Sequence, residues 1–439
     1  MRILHTSDWH LGHRLYDRDR SPEHRAALQW LLATIEAERV DLLIVAGDVF
    51  DTMNPSNTAQ ELYYAFLGAL ARTGCQAAVI VGGNHDSPSL LDAPVELLRQ
   101  LNCHVVGSAR SDPSAQVIHL RVDSREGNKW GMGALNAGAV EGDGAVIVAA
   151  VPYLRDRDIK YSIAGESPED RRQRMRAAIL GHYQAIAAAV EASRQDPTTP
   201  VIATGHLYAS GAVDAEDKET HIYLADKNNI AAEQFSPLFD YVALGHIHQA
   251  QRVGGRESVR YSGSLIPLTF GEARQPQSVC IFDLDRAGQE VEVRKIPVPR
   301  YRELVSVRGT AEEVMAALAT LKTSEAARTE ERLPTWVEVR VSSPHPLPLL
   351  RKALEDALGP ADAAEAAGLP MVVRSSVVRP TTTLRTSQSL GIDLRELDPE
   401  EVFYRLCHGT AEAPREDYPE LLASFRELRQ WMGEETPEA

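Results

Sequence analysis

Along the first third of the chain, short continuous apolar runs alternate with longer stretches of helical periodicity. RILHTSD (Arg2 to Asp8), DLLIVAGD (Asp41 to Asp48), AAVIV (Ala77 to Val81) and CHVVGS (Cys103 to Ser108) read as buried strands. Helices are predicted over Glu23 to Glu38 and Asn57 to Arg72. Strands that are apolar throughout and joined by helical crossovers imply a sheet covered on both faces. Strands then dominate: VIHLRVD (Val117 to Asp123), AVIVAAV (Ala145 to Val151), PVIATGH (Pro200 to His206), DYVALGH (Asp240 to His246), VRYSGS (Val259 to Ser264) and SVCIFDL (Ser278 to Leu284). A long helix, Glu169 to Arg194, interrupts them, and the Gly-rich segment Gly127 to Gly144 reads as an exposed loop.

The pattern changes near Ile296-Pro297-Val298-Pro299, where a domain boundary is expected. A small α/β unit follows: strand Glu303 to Val307, helix Thr310 to Lys322, strand Trp336 to Val341, helix Leu347 to Leu358, strand Met371 to Val378. RPTTTLRTSQS (Arg379 to Ser389) has the composition of a linker. Two short amphipathic helices are predicted near Asp398 to Cys407 and Tyr418 to Trp431. Alone they bury little surface, so they pack on the parent domain or dock on a partner. The expected domains are residues 1–295, 296–380 and 381–439.

A length of 439 residues agrees with more than one core. The formal charge of −16 argues against nucleic acid as a partner only if it is evenly spread. It is not: Gly391 to Ala439 holds 13 acidic and 5 basic residues, a net of −8. Four scattered cysteines without a CxxC pair (Cys75, Cys103, Cys280, Cys407) argue against a zinc knuckle and suggest a reducing compartment. The N-terminus turns polar too early for a signal peptide, and the longest apolar run, Gly144 to Leu154, is too short to span a membrane. A cytoplasmic location is expected.

The candidate chemistry lies where the strands end. They run into Asp8-Trp9-His10, Gly47-Asp48-Val49-Phe50-Asp51, Asn84-His85-Asp86, Gly205-His206 and Gly245-His246-Ile247-His248. In an open α/β sheet, ligands bind at the carboxyl ends of the strands. Asp8 with His10, and His246 with His248, are i, i+2 pairs that extended backbone would project from one face. A carboxylate such as Asp48 can give one oxygen to each of two cations, about 3.5–4 Å apart. Carboxylate, amide and imidazole without thiolate suit Mn²⁺, Fe²⁺ or Zn²⁺. The glycines before Asp48, His206 and His246 are expected to let the backbone turn sharply there. Singly, DxH is commonplace and GDxxD is also a turn with a helix cap; the ordered set of five is specific. His5, His13, His24, His104, His119, His182, His221, His345 and His408 lack such a setting and are expected to be structural or on the surface.

DxH, GDxxD, GNHD, GH and GHxH in this order resemble the calcineurin-like metallophosphoesterases. MRILHTSDWHLG, DLLIVAGDVFDT, GGNHDSP, YVALGHIHQAQ and VRYSGSLIPLTF further resemble the bacterial SbcD nucleases. The specific motifs cover Met1 to Val298; beyond that only the α/β layout is similar to the family's capping domain. The resemblance implies an α/β fold: a two-sheet β-sandwich flanked by helices, a small capping domain that binds DNA, and a helical tail. It implies two Mn²⁺ ions, with Mg²⁺, Fe²⁺ and Zn²⁺ as alternatives. One would be held by Asp8, His10, Asp48 and His248, the other by Asp48, Asn84, His206 and His246. His85 would stabilise the scissile phosphate and help the leaving oxygen take a proton. Asp51 matches the acid that orients this histidine in related phosphatases, and Asp86 would support the ligands.

The implied activity is exonuclease and endonuclease cleavage of DNA by in-line hydroxide attack, in DNA repair and recombination. The implied partners are DNA, the SbcC ATPase and a second copy of the chain, in a nucleoid-associated complex. The tail helices are the candidate docking segment for SbcC, and Asn57 to Arg72 is a candidate dimer helix unless its apolar face is core. Arg14, Arg18 and Arg20 could line a DNA groove or form a solvated loop with Asp17 and Asp19. Arg155, Arg157 and Lys160 are a weaker candidate, and Arg171 to Arg176 is expected to face solvent.

Three other readings compete. Protein phosphatases of the superfamily carry Arg-Gly after the second Asp and Glu after GNH; here Thr52-Met53 and Asp86 stand there. A non-catalytic scaffold would have lost ligands, and all seven are present. A small-molecule metallophosphodiesterase is the alternative, against which the extra domain and tail favour a large substrate.

Overall fold

In the computed structural model, residues 1–121, 144–155, 158, 167–209, 230–326, 332–343, 347–378 and 423–428 are described. Two six-stranded sheets carry the first part. The first has the order β14-β13-β1-β4-β5-β6: Arg294–Pro297, Ser278–Asp283, Arg2–Thr6, Leu42–Ala46, Ala77–Val81 and Cys103–Val106. The second has the order β11-β12-β10-β9-β8-β7: Gln251–Val253, Arg256–Tyr261, Tyr241–Gly245, Val201–His206, Ala145–Ala149 and Val117–Arg121. In both, the strands that precede the polar motifs are central and mutually parallel (β1 with β4, β4 with β5, β9 with β10).

The continuous apolar runs are explained by burial on both faces. One set of alternate residues packs between the sheets: Ile3, Leu42, Ile44, Val79 and Val81 meet Val146, Val148, Ile202, Tyr241 and Ala243. The other set in the first sheet faces α1 (Ser21–Glu38) and α2 (Asn57–Leu70). In the second sheet it faces the helix Pro168–Ser193. Each such aliphatic side chain contributes about 1.5–3 kcal/mol of transfer free energy. The fold is thus a two-sheet sandwich flanked by helices.

Local signals set the helix ends. Pro22 opens α1, and Arg39 closes it in the left-handed region at φ 55°. Ser56 caps α2 by accepting from the main-chain N–H of Ala59. The apolar face of α2 (Leu62, Tyr63, Phe66, Leu67, Leu70) is core; Tyr64 and nearby Met53 stay exposed.

A three-stranded parallel sheet follows: β15 (Arg302–Gly309), β16 (Leu333–Ser342) and β17 (Met371–Val378). The helices Ala311–Ala326 and Leu350–Leu358 cover one face through Val314, Leu318, Leu354 and Leu358. In another cluster, Leu304, Trp336 and Met371 pack with Leu15 and Phe270. Leu15 belongs to a small hairpin, β2 (Arg14–Leu15) with β3 (Arg18–Asp19), which carries too few residues to show a period. The hydrophobic pattern does not predict the edge strand β14 either; Arg-Lys-Ile-Pro has little apolar character, yet Ile296 and Pro297 pair in the first sheet. The Gly-rich segment up to residue 143, Arg157, Lys160, the linker and the helix near Asp398 lie outside the described residues, and of Tyr418 to Trp431 only the helical residues 423–428 are described. No helix among the described residues is long and apolar enough to cross a membrane.

Candidate metal centre

The backbone leaves extended geometry where the motifs begin. β1 ends at Thr6, after which Asp8 and His10 adopt φ of 52° and 46°. Asp48 follows β4 at φ 48°, and His246 follows β10 at φ 101°. The i, i+2 pairs therefore do not converge through alternation on a strand, contrary to the expectation from their spacing; left-handed turns aim them. Each such residue costs about 1–3 kcal/mol unless its surroundings hold it. Here the two loops hold each other as a hydrogen-bonded pair: Asp8 N–H to Gly47 O at 3.0 Å, His10 N–H to Asp48 O at 3.0 Å, Leu11 N–H to Val49 O at 2.9 Å.

Of the three glycines expected to turn the chain, only Gly47 has a left-handed φ (92°). Gly245 serves close approach instead: a Cβ there would lie 2.0 Å from the carbonyl oxygen of Ala46, joining the two sheets at the site. Gly83 acts in the same way, since a Cβ would lie 2.1 Å from Asp48 Oδ1.

The predicted donors come together. Asp8, His10 and His248 form one cluster, and Asp48, His206 and His246 another, with donor atoms within 4.8 Å of one another in each. Asn84 Oδ1 lies 3.0 Å from His206 Nε2 and 3.0 Å from His246 Nδ1. Asp48 stands between the clusters. Its Oδ2 is 3.2 Å from His206 Nε2 and 3.5 Å from His10 Nε2. Its Oδ1 accepts the main-chain N–H of His85 at 2.9 Å. The carboxylate thus turns Oδ2 between the clusters, while Oδ1 accepts the N–H of the GNHD loop.

His85 and Asp51 also meet, though not as the sequence suggests. The Nδ1 of His85 is 2.7 Å from the main-chain carbonyl of Asp51. The Asp51 carboxylate is 3.1 Å from His10 Nδ1 and 3.1 Å from His13 Nδ1. Its side chain is thereby committed to a cluster donor and to His13, which the sequence reading placed among the structural or surface histidines. Asp86 is fully buried and accepts from the N–H groups of Val49, Phe50 and Gly83 at 3.1, 2.9 and 2.8 Å, tying two motif loops together.

Two neighbours escape the sequence reading. Glu272 accepts from His248 Nδ1 at 3.1 Å, and His13 follows the first motif without a strand of its own. Neither stands at a strand end, and both gain their position from loops brought in by the fold. Of the arginines, Arg20 is fully buried against Glu23 and the carbonyl of Pro267, so it lines no groove. Arg14 and Arg18 stay at the surface, as does most of Arg171 to Arg176. Arg155 lies against the GNHD loop, its Nη2 donating to the carbonyls of Gly83 and Asp86 at 3.3 and 2.6 Å.

The electrostatics are those of crowded donors. Burial opposes the charge of His206, but Asp48 raises it to about 9. Burial also opposes His248, which Glu272 raises to about 10. Burial and the neighbouring His206 push His246 down to about 3. Asp48 stays well below the ordinary carboxylate range because, against its burial, His206 and His10 hold it ionised. Burial and the charge of Asp48 push Asp86 up to about 6, opposed by its three main-chain donors.

This donor set fits divalent cations. His10 Nε2 is buried without a hydrogen-bond partner and faces Asp48, an arrangement that needs a positive ion or proton between them. The donors are carboxylate, amide and imidazole, with no thiolate, in two clusters with Asp48 Oδ2 between them.

The calcineurin-like phosphoesterase family model matches residues 1–250, and a model described as a Type 5 capsule protein repressor C-terminal domain matches residues 300–409. The chain is 35% identical over 408 residues to the SbcD polypeptide of the nuclease SbcCD from Escherichia coli K12, covering 92% of each. It is 33% identical to the polypeptide of that name from Rhodobacter capsulatus, covering 92% of this chain and 93% of that one. The Bacillus subtilis counterpart is 32% identical over 70% of this chain and 71% of its own. Similarity at this level, across nearly the full length of two of these relatives, places the chain in the SbcD family of SbcCD nucleases, within the calcineurin-like phosphoesterases.

Proposed function

We propose that this chain is the nuclease subunit of an SbcCD-type complex, a phosphodiesterase that cuts DNA with two divalent cations, Mn²⁺ foremost. Asp8, His10, Asp48 and His248 would hold one cation, and Asp48, Asn84, His206 and His246 the other. The observation that carries this reading is the position of Asp48 Oδ2, 3.5 Å from His10 Nε2 and 3.2 Å from His206 Nε2. Divalent cations held by these residues would supply an acidified water as nucleophile and charge neutralisation at the phosphate.

The chain's own residues do the rest. The main-chain N–H of His85 on Asp48 Oδ1 fixes the bridging carboxylate in one orientation. The carbonyl of Asp51 requires a proton on His85 Nδ1, which leaves Nε2 to approach the scissile phosphate and the leaving oxygen. The Asp51 carboxylate orients His10, and so acts as a positioning group rather than as an acid in the reaction.

In this reading residues 1–295 are the nuclease domain and residues 296–380 a capping domain that contacts DNA, chiefly through phosphates. Residues 381–439 are the docking segment for an SbcC-type ATPase, in a cytoplasmic complex that contains two copies of this chain. Deleting Gly391 to Ala439 should abolish co-purification with that ATPase while sparing metal-dependent cleavage; retained co-purification would place the docking surface elsewhere.

The test of the activity is cleavage of end-labelled duplex DNA by the purified chain in Mn²⁺, Mg²⁺ and EDTA, beside His85→Ala. Mn²⁺-dependent shortening, lost in EDTA and in the variant, is the expected result. Turnover of bis-(p-nitrophenyl) phosphate without DNA cleavage, with or without the ATPase, would overturn DNA as the substrate.

A further inference from the structure

Each cation position has two imidazoles, and the two positions differ in what stands behind and beside them. Around the first, both imidazoles are backed by carboxylates: His10 Nδ1 meets Asp51 at 3.1 Å, and His248 Nδ1 meets Glu272 at 3.1 Å. Around the second, His206 Nδ1 donates to a neutral group, the main-chain carbonyl of Ala46, at 2.9 Å. The remaining donors widen the contrast. The first position has Asp8 and a share of Asp48; the second has its share of Asp48 and the neutral Asn84.

The two backing carboxylates are also joined. Glu272 uses its second oxygen to accept the main-chain N–H of Leu268 at 2.8 Å. The carbonyl of Leu268 meets His13 Nε2 at 3.1 Å, and His13 Nδ1 meets the same Asp51 oxygen as His10. A hydrogen-bonded belt therefore runs from His10 through Asp51, His13, Leu268 and Glu272 to His248. The Glu272 side chain is only 10% exposed, so its charge is poorly screened.

We propose that Glu272 is a positioning residue for the first cation, and that the carboxylate-backed belt makes this position bind its ion more tightly than the second. A carboxylate behind an imidazole fixes its tautomer and raises its basicity, and the excess negative charge behind one cation favours it by Coulomb attraction. Glu272 acts through His248 and does not touch the substrate. The inference rests on the two-cation reading given above, and the test separates them.

The experiment is calorimetric titration of the metal-free full chain with Mn²⁺, followed in parallel by the electron paramagnetic resonance of free Mn²⁺. The wild type should bind two ions in steps at least about tenfold apart, the tighter filling first. Glu272→Gln keeps the shape and one of the two accepted hydrogen bonds, because the amide nitrogen cannot accept, and it removes the charge; it should weaken the tighter step by about 10–100-fold and leave the other nearly unchanged. Glu272→Asp, which keeps the charge at shorter reach, should fall between, and serves if the glutamine variant fails to fold. Two equal steps in the wild type, or equal loss in both steps, or loss in neither, would overturn the inference while leaving two cations in place. A wild type that binds fewer than two ions would sink both.

Discussion

Asp48 Oδ2, delivered by the first sheet, lies 3.2 Å from His206 Nε2, delivered by the second. The contact closes a gap of 158 residues in the sequence and occurs where Gly245 lets the carbonyl of Ala46 approach the opposite strand end. Asp48→Asn should lower turnover by about a thousandfold, the several kcal/mol that bridged cations contribute to the transition state. In EDTA the same variant should be less stable than the wild type, because His206 and His10 hold the Asp48 carboxylate ionised and His206 loses its counter-charge. Steady-state kinetics and thermal melting check the two halves.

Arg155 brackets Asn84 and His85 by donating to the carbonyls on either side, those of Gly83 and Asp86. Arg155→Ala should reduce kcat about 10–100-fold with little change in KM, since the loop loses its clasp while the inner donors stay. Arg155→Lys should recover part of the loss, because both hydrogen bonds come from the single nitrogen Nη2 and an ammonium can donate to two carbonyls. A rise in KM alone, measured on bis-(p-nitrophenyl) phosphate, would show that the guanidinium binds substrate instead.

Glu23 lies between Arg20 and Arg302, each of the three side chains no more than 2% exposed. Arg302 lies over the ring of Trp336 at 4.2 Å, so the ion cluster joins α1 to the three-stranded sheet. Glu23→Gln should destabilise the protein by about 3–5 kcal/mol, because two guanidinium groups then lack a buried counter-charge. Urea unfolding followed by circular dichroism reads this; a loss below about 1 kcal/mol, on the order of an exposed pair, would contradict it.

His5 is fully buried, with Nε2 at 3.2 Å from the carbonyl of Leu244 and Nδ1 at 3.1 Å from the Tyr241 hydroxyl. Burial pushes its pKa down from 6.5 to about 3, so in the native state the ring stays neutral. The unfolded chain binds the proton first as pH falls. The contribution of His5 is therefore complete above pH 6.5 and is lost between there and about pH 3. At about pH 5 the loss should be about 2 kcal/mol. His5→Gln should show a shallower fall in stability between about pH 7 and pH 5, in urea titrations with EDTA.

By itself, the sequence determined the central strands, the crossover helices and the list of candidate donors. Apolar runs such as Ala77 to Val81 have no stable place except a buried sheet, and a polar cluster directly after them has no place but its end. The motif order was legible because each candidate donor lies within a few residues of its strand. Tertiary structure decided what depends on approach from elsewhere in the chain. The left-handed turns at Asp8, His10, Asp48 and His246 persist because paired loops hold them, which no local propensity reports. Asp51 went to His10 and His13, and Glu272 to His248, because loops distant in sequence close around the site. Arg20 reads as a surface cation in a charged loop, yet the fold buries it beside Glu23 and Trp336. Burial acts along the chain and leaves a period that can be read; a hydrogen bond between two loops depends on a distance in space, and leaves none.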